Sequence, residues 1–398
     1  RGLTCVYPQA SVKTPTASRQ STADPAESTA TAAVPAASPL SLLTSTSSGH
    51  DLSDSILEVA AGELICPIKA EDISIRWMNA YVPTPEQKVK AYQPSTIAFL
   101  YRSLKAYSGM AVRGSGIPPF IHPAQLSPNN SMEVPAMTGS ATTAGVSGVG
   151  SSSAALTTCL SLARICDATL AGSTRPTTEA AAAVLKREMN RIYTEIQQQA
   201  QTNVSVDHLA SLAAFQAYLL YALVLFFQLG HQGDPFLRQA IMALQEIACT
   251  SSRHGLVCAA EQASACPRWA AWVVAEAKRR TLYVVYLFDS VLSAHDGLPT
   301  YLGSELRGLP APGSKALWQA TSLADWNRAY RLYLDEWTRT EDSAGGYAGL
   351  RIDELWPYPD PADVPGLSRR RQRVDQWLES VDEYGTMMYA VTSSTHGG

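Results

Sequence analysis

Apolar and polar positions are distributed along this chain in two contrasting ways. From residue 9 to about 55 the chain is almost wholly Ser, Thr, Ala and Pro, with a few scattered charges and no aromatic side chain. Such a segment buries too little surface to offset the entropy of ordering it, which predicts a disordered linker. From Ile56 onward apolar residues recur at helical spacing almost throughout, while strict alternation bounded by hairpin turns and repeats of fixed period are both missing. Flexible loops are expected near 127–153, richest in Gly and Ser from residue 139, and at 343–349. The pattern predicts an all-α fold, one large helical domain over 56–398 preceded by a disordered Ser/Thr/Pro/Ala-rich linker over 9–55.

The strongest helix is predicted from about Val206 to Leu229, with Ser205 or Asp207 as N-cap and Gly230 just past its end. No charge occurs from Leu209 to Leu229, so the segment is long enough to cross a bilayer. Gln216, Gln228, Ser211, two tyrosines and the lack of a basic flank favour instead the centre of a helical domain, and no membrane association is expected. A second long helix is predicted from Pro267 to about Ala294, stopped by Gly297-Leu298-Pro299. Its stripe of Trp269, Val273, Val284, Leu287 and Val291 also carries Glu276 and Arg280, four apart with the acid on the N-terminal side. An ion pair on a core-facing stripe specifies packing more than it adds stability. In water the same pair would contribute only about 0.3–0.5 kcal/mol. Ser322 and Asp325 read as a capping box opening a helix through Trp326, Tyr330 and Tyr333. A final helix is predicted from about Leu367 to Val391, its apolar face formed by Val374, Trp377, Leu378, Val381, Met388 and Val391.

Composition changes this picture only by exclusion. The 398 residues are 46% hydrophobic, enough for a substantial core, and the net charge of −4 leaves no electrostatic footprint for nucleic acid on this chain. Seven cysteines without CxxC pairs suggest free thiols in a reducing compartment, and the first residues do not have the pattern of a signal peptide.

The first eight residues, Arg1-Gly2-Leu3-Thr4-Cys5-Val6-Tyr7-Pro8, resemble the end of the DNA-binding module of fungal binuclear zinc cluster transcription factors. There the last of six zinc-bridging cysteines sits in a basic residue-Gly-Leu-x-Cys-x-Tyr-Pro context. On this resemblance residues 1–8 are the C-terminal remnant of that module and Cys5 is a zinc ligand. The cysteine pairs that aim two sulfurs at one metal would lie upstream. The helical part resembles the fungal-specific transcription factor domain through pieces in family order: Pro118-Pro119-Phe120-Ile121-His122-Pro123, Gln216 to Tyr221, and Glu276 to Tyr283 with Asp289. Leu309-Pro310-Ala311-Pro312 with Trp318 and Trp326 follows, then Val374-Asp375-Gln376-Trp377 and Asp382-Glu383-Tyr384-Gly385.

The resemblance implies a nuclear transcriptional regulator that binds promoter DNA through an upstream zinc cluster largely absent from this chain. Its helical regulatory domain would hold activity in check, bind effectors or mediate assembly, and members often control metabolic or secondary-metabolite gene clusters. Zinc is then the cofactor of the missing cluster, and DNA, the transcription machinery and a second copy in a homodimer are the partners. No heptad run follows Cys5, so a coiled coil at that place is not predicted. The alternative is a helical ligand-binding or protein-interaction module without DNA binding of its own.

Cys159 and Cys166 fall in an apolar helical stretch and read as buried thiols. Cys249, His254, Cys258 and Cys266 lack the tight pair that anchors structural zinc, and His122 between Ile121 and Pro123 reads as a turn residue. No clustered carboxylates, nucleophile elbow, HExxH, P-loop or dinucleotide fingerprint occurs, so catalysis is not expected. Arg369, Arg370, Arg371 and Arg373 form the densest basic run, near a helix start where the macrodipole disfavours positive charge. Nuclear import and a solvated basic face are the two readings of that run. Lys278-Arg279-Arg280 suits import less well because Arg280 is expected to face inward.

Overall fold

The computed structural model describes residues 57–76, 78, 81–82, 89–90, 92–126, 153–170, 175–202, 207–338, 347–356 and 362–396. Cys5, the linker, nearly all of the 127–153 loop and residues 343–346 lie outside the described residues. A two-residue strand β1 (Leu64–Ile65) and a single-turn α1 (Glu71–Ser74) precede the helices α2 (Pro94–Arg113), α3 (Ala154–Leu170), α4 (Arg175–Gln201), α5 (His208–Phe227) and α6 (Pro235–Arg253). Next come β2 (Val257–Cys258), the short α7 (Ala259–Gln262), α8 (Trp269–His295), the short α9 (Lys315–Trp318), α10 (Leu323–Thr338), α11 (Val364–Ser380) and α12 (Glu383–His396). The described residues thus form an all-helical bundle.

Its one small sheet pairs β1 and β2 antiparallel, Leu64 opposite Cys258 and Ile65 opposite Val257. Gly255 makes the close approach possible. Its φ is +94°, and a Cβ there would lie 2.4 Å from the Leu64 Cβ.

Helix α5 is the centre. The Asp207 carboxylate accepts the N–H groups of Leu209 and Ala210 at 2.9 and 3.0 Å, capping the start. At the other end Gly230 adopts φ +72°. The helix is packed by α2, α3, α4, α6 and α8, so its apolar character on every side follows from having neighbours on every side. It is the one helix among the described residues long and apolar enough to cross a membrane, and here it lies inside the bundle.

Helix α8 departs from the expected stripe. Residues Ala270 to Ser293 are all buried apart from Asp289, so Trp272, Lys278 and Arg279 are enclosed as fully as the stripe. Neighbours on several sides explain this: α8 packs against α2, α5, α6, α10 and β2. On one side Trp272 meets Trp326, which stacks on Tyr330 of α10 with ring centroids 4.9 Å apart. The Ser322 hydroxyl accepts the Asp325 N–H at 3.1 Å to open α10. The Asp325 carboxylate returns to that hydroxyl at 2.7 Å rather than to the Ser322 backbone N–H of a full capping box.

One expectation for the C-terminal region needs correction. The single helix predicted over Leu367–Val391 is two helices, α11 and α12, with Val381 extended at ψ 163° between them. Asp382 causes the break: one carboxylate oxygen accepts the Gly385 N–H at 3.0 Å as an N-cap, and the other takes an arginine from α8. Of the expected 343–349 loop, only residues 347–349 are described, and Ala348 and Gly349 are buried. Just beyond it the Ala311 N–H donates to the Leu350 carbonyl and the Ile352 N–H to the Leu309 carbonyl, both at 2.8 Å.

Candidate functional site

Three consecutive charged residues of α8 project in different directions into the core. Glu276 faces two guanidiniums: Arg280 Nε donates to Oε1 at 2.7 Å and Arg279 Nη2 to Oε2 at 2.8 Å. Oε1 also accepts the Gly313 N–H at 2.8 Å. Burial pushes the Glu276 carboxyl up, and the Arg279 and Arg280 charges outweigh it, holding the group below the usual carboxylate range. Arg279 continues to Glu261 of α7 at 3.1 Å and to the Leu256 carbonyl at 2.9 Å. Arg280 Nη1 donates to Asp382 at 2.6 Å, and its guanidinium lies 4.1 Å from the Trp318 ring centroid and 5.1 Å from that of Tyr384. Two guanidiniums and three carboxylates are thus enclosed together, each charge bonded, the condition under which buried ions are tolerated.

The sequence pieces quoted above meet at this network. Arg280 donates to the Pro119 and Gly313 carbonyls at 3.3 Å each, and its own carbonyl accepts the Tyr384 hydroxyl at 2.9 Å. Gln216 of α5 donates to the Phe120 carbonyl at 2.8 Å and accepts from Gln125 at 2.9 Å. Tyr283 donates to the Pro310 carbonyl at 2.6 Å, and the Trp377 indole N–H to the Pro312 carbonyl at 2.9 Å. His122 sits edge-on to Trp318 with centroids 4.8 Å apart, and its Nδ1 accepts the Ala124 N–H at 3.2 Å, closing the turn. Burial lowers its pKa to about 4, so the ring is neutral at pH 7.

Lys278 is the opposite case. It is fully buried, yet its Nζ reaches only the Gly255 and His254 carbonyls at 3.3 and 3.4 Å and His208 Nδ1 at 3.4 Å. No carboxylate among the described residues pairs with it. Burial lowers its pKa to about 7, and burial together with the Lys278 charge lowers that of His208 to about 4. The basic patterning of Lys278-Arg279-Arg280 gave no sign of these three separate environments.

The arginine run on α11 splits. Arg370 donates to the Glu354 and Asp353 carbonyls at 2.6 and 2.5 Å and also to the Trp356 carbonyl. Arg373 pairs with Glu354 at 2.8 Å, donates to the Gly349 carbonyl at 2.6 Å and lies over Trp337. These two hold the 347–356 segment against the bundle, while Arg369 and Arg371 are exposed. The run is therefore not one solvated face.

Cys159 and Cys166 are both buried, and the Cys159 thiol donates to the Ala217 carbonyl at 3.4 Å. Cys249 and Cys258 are buried and Cys266 exposed. Among the described residues no three metal-ligating side chains gather.

A cavity of about 290 Å³ opens on another side of α8, between Met242 of α6, Asp289 of α8 and the Leu298-Pro299 turn. One edge is Arg76, whose Nε, Nη1 and Nη2 donate to Asp289 at 3.1 Å, Glu305 at 2.9 Å and the Tyr301 carbonyl at 2.8 Å. The sequence reading passed over Arg76. The available signal was a single basic residue between Lys69 and Lys88, flanked by Ile75 and Trp77.

Comparisons with protein-family models, with curated proteins and with solved structures find no match to this chain.

Proposed function

We propose that the helical region is the regulatory domain of a fungal-type transcriptional regulator. In this reading promoter DNA is bound through a zinc cluster to which Cys5 contributes the last thiolate, and the protein works in the nucleus on a metabolic or secondary-metabolite gene cluster. One observation supports the reading above the others. The short pieces that carry the resemblance, from Pro118 to Gly385, are bonded to one another around Glu276 and Arg280 rather than scattered over the surface. Such pieces behave as parts of one unit, and a unit whose segments share a central ion network moves or holds as a whole.

The test is a reporter assay with the full chain fused to a heterologous DNA-binding module in a fungal host. The reporter is expected to differ several-fold from the module alone, and Arg280→Met, which opens the network, is expected to shift that output at equal protein level. A reporter indistinguishable from the module alone for both proteins, with both present in the nucleus, would sink the reading. The transcription machinery and a second copy are the partners this reading proposes, and the assay probes the first of them.

A further inference from the structure

The cavity beside Arg76 has walls that select a ligand class. Its apolar side is Ile241 and Met242 of α6 with Leu298 and Pro299 of the turn after α8, and the flat rings of Tyr81 and Tyr301 border it. Its polar side is Asp289 and Ser293, four apart and so on one face of α8. The guanidiniums at the edge are already balanced. Arg76 is held by Asp289 and Glu305 with its face on the Tyr286 ring at 4.3 Å, and Arg238 is paired with Asp296. Two positive groups therefore meet three carboxylates in and around the cavity, and an anion would bring a further negative charge to a site already in excess of it. Asp289 uses Oδ2 for Arg76 and is 20% exposed, which leaves it an acceptor oxygen for a donor from outside. At about 290 Å³ the volume is at the lower edge of small-molecule sites, enough for one or two fused rings.

We propose that this cavity binds a small, uncharged ring compound carrying a hydroxyl or N–H group, of the phenol class, with that group donating to Asp289 and the ring lying between Met242 and the Leu298-Pro299 turn. Binding of this kind does not require the regulatory reading and is measured without any reporter.

The probe is 2-naphthol, titrated calorimetrically into the full chain beside 2-naphthoate, which has the same rings and a negative charge. Saturable binding of 2-naphthol at least about tenfold tighter than 2-naphthoate is expected, a difference of about 1.4 kcal/mol. Met242→Trp, which fills the cavity, is expected to weaken 2-naphthol at least about tenfold. Leu298→Trp fills the same space from the exposed turn and serves if the first variant does not fold. Equal or tighter binding of 2-naphthoate would overturn the assignment of a neutral ligand. Unchanged 2-naphthol affinity in a folded filled variant, or no saturable binding up to the solubility of the probe, would overturn the site itself.

Discussion

A guanidinium without exposed surface is stable only while every charge around it is matched, and Arg280 meets that condition through Glu276, Asp382 and two carbonyls. Replacing it by Met leaves Asp382 buried without its cation. Arg280→Met is expected to destabilise the domain by about 3–5 kcal/mol, read as a lower denaturation midpoint, and pairing it with Asp382→Asn is expected to recover part of the loss. Lys278 predicts the reverse sign. Its folded pKa of about 7 lies below the ordinary 10.5, so folding releases a proton above pH 7. Its destabilising effect is absent above pH 10.5, grows as pH falls through this window and is complete below pH 7. Lys278→Met is therefore expected to stabilise the domain at pH 7 by roughly 2–4 kcal/mol, with the gain gone by pH 10.5, in denaturation series across pH. His122 and His208, both lowered to about 4 from 6.5, add a second loss of wild-type stability as pH falls from 6.5 through 4. His122→Phe should flatten part of that acid limb. The Glu276–Arg280 pair was legible because four residues along a helix fix a distance. That no carboxylate among the described residues pairs with Lys278 was not legible, since it depends on which chain segments pass nearby.

At the scale of elements, the ends of α5 were readable from Asp207 and Gly230, and the body of α8 from its apolar spacing. The break between α11 and α12 was not: Val381 and Asp382 are weak helix formers wherever they stand, and the break is decided where Asp382 is taken by α8 and by the Gly385 N–H. The basic run of α11 yields a discriminating experiment. Joint Arg370→Ala and Arg373→Ala is expected to free the 347–356 segment, giving new proteolytic cleavage there and a lower melting temperature. Joint Arg369→Ala and Arg371→Ala is expected to leave the segment clamped and its cleavage pattern unchanged, because Arg370 and Arg373 remain. If nuclear accumulation is also unchanged in that second variant, the run has no import role. The backbone amides of α5 are expected to exchange with deuterium only through global opening, since the helix has packed neighbours on every side.

At the scale of the molecule, the central network ties together segments far apart in the chain: Arg280 and Asp382 are 102 residues apart, and Arg280 and Pro119 are 161. A truncation after residue 361 removes Trp377, Asp382 and Tyr384 together and is expected to abolish a cooperative thermal transition, as followed by calorimetry. The same separation divides what was readable from what was not. By itself the sequence determined the helical class, the apolar helix at the centre, the caps that begin and end helices, and the pairing of Glu276 with Arg280. All of these follow from interactions within a few residues, whose geometry the helix repeat sets. Only the tertiary structure decided that Arg280 would bind Asp382, that Lys278 would be enclosed by backbone carbonyls and His208, that the arginines of α11 would divide between clamp and surface, and that a cavity would open beside Asp289. Those outcomes depend on which distant segments meet. Packing of the whole chain selects them, and no local spacing records it.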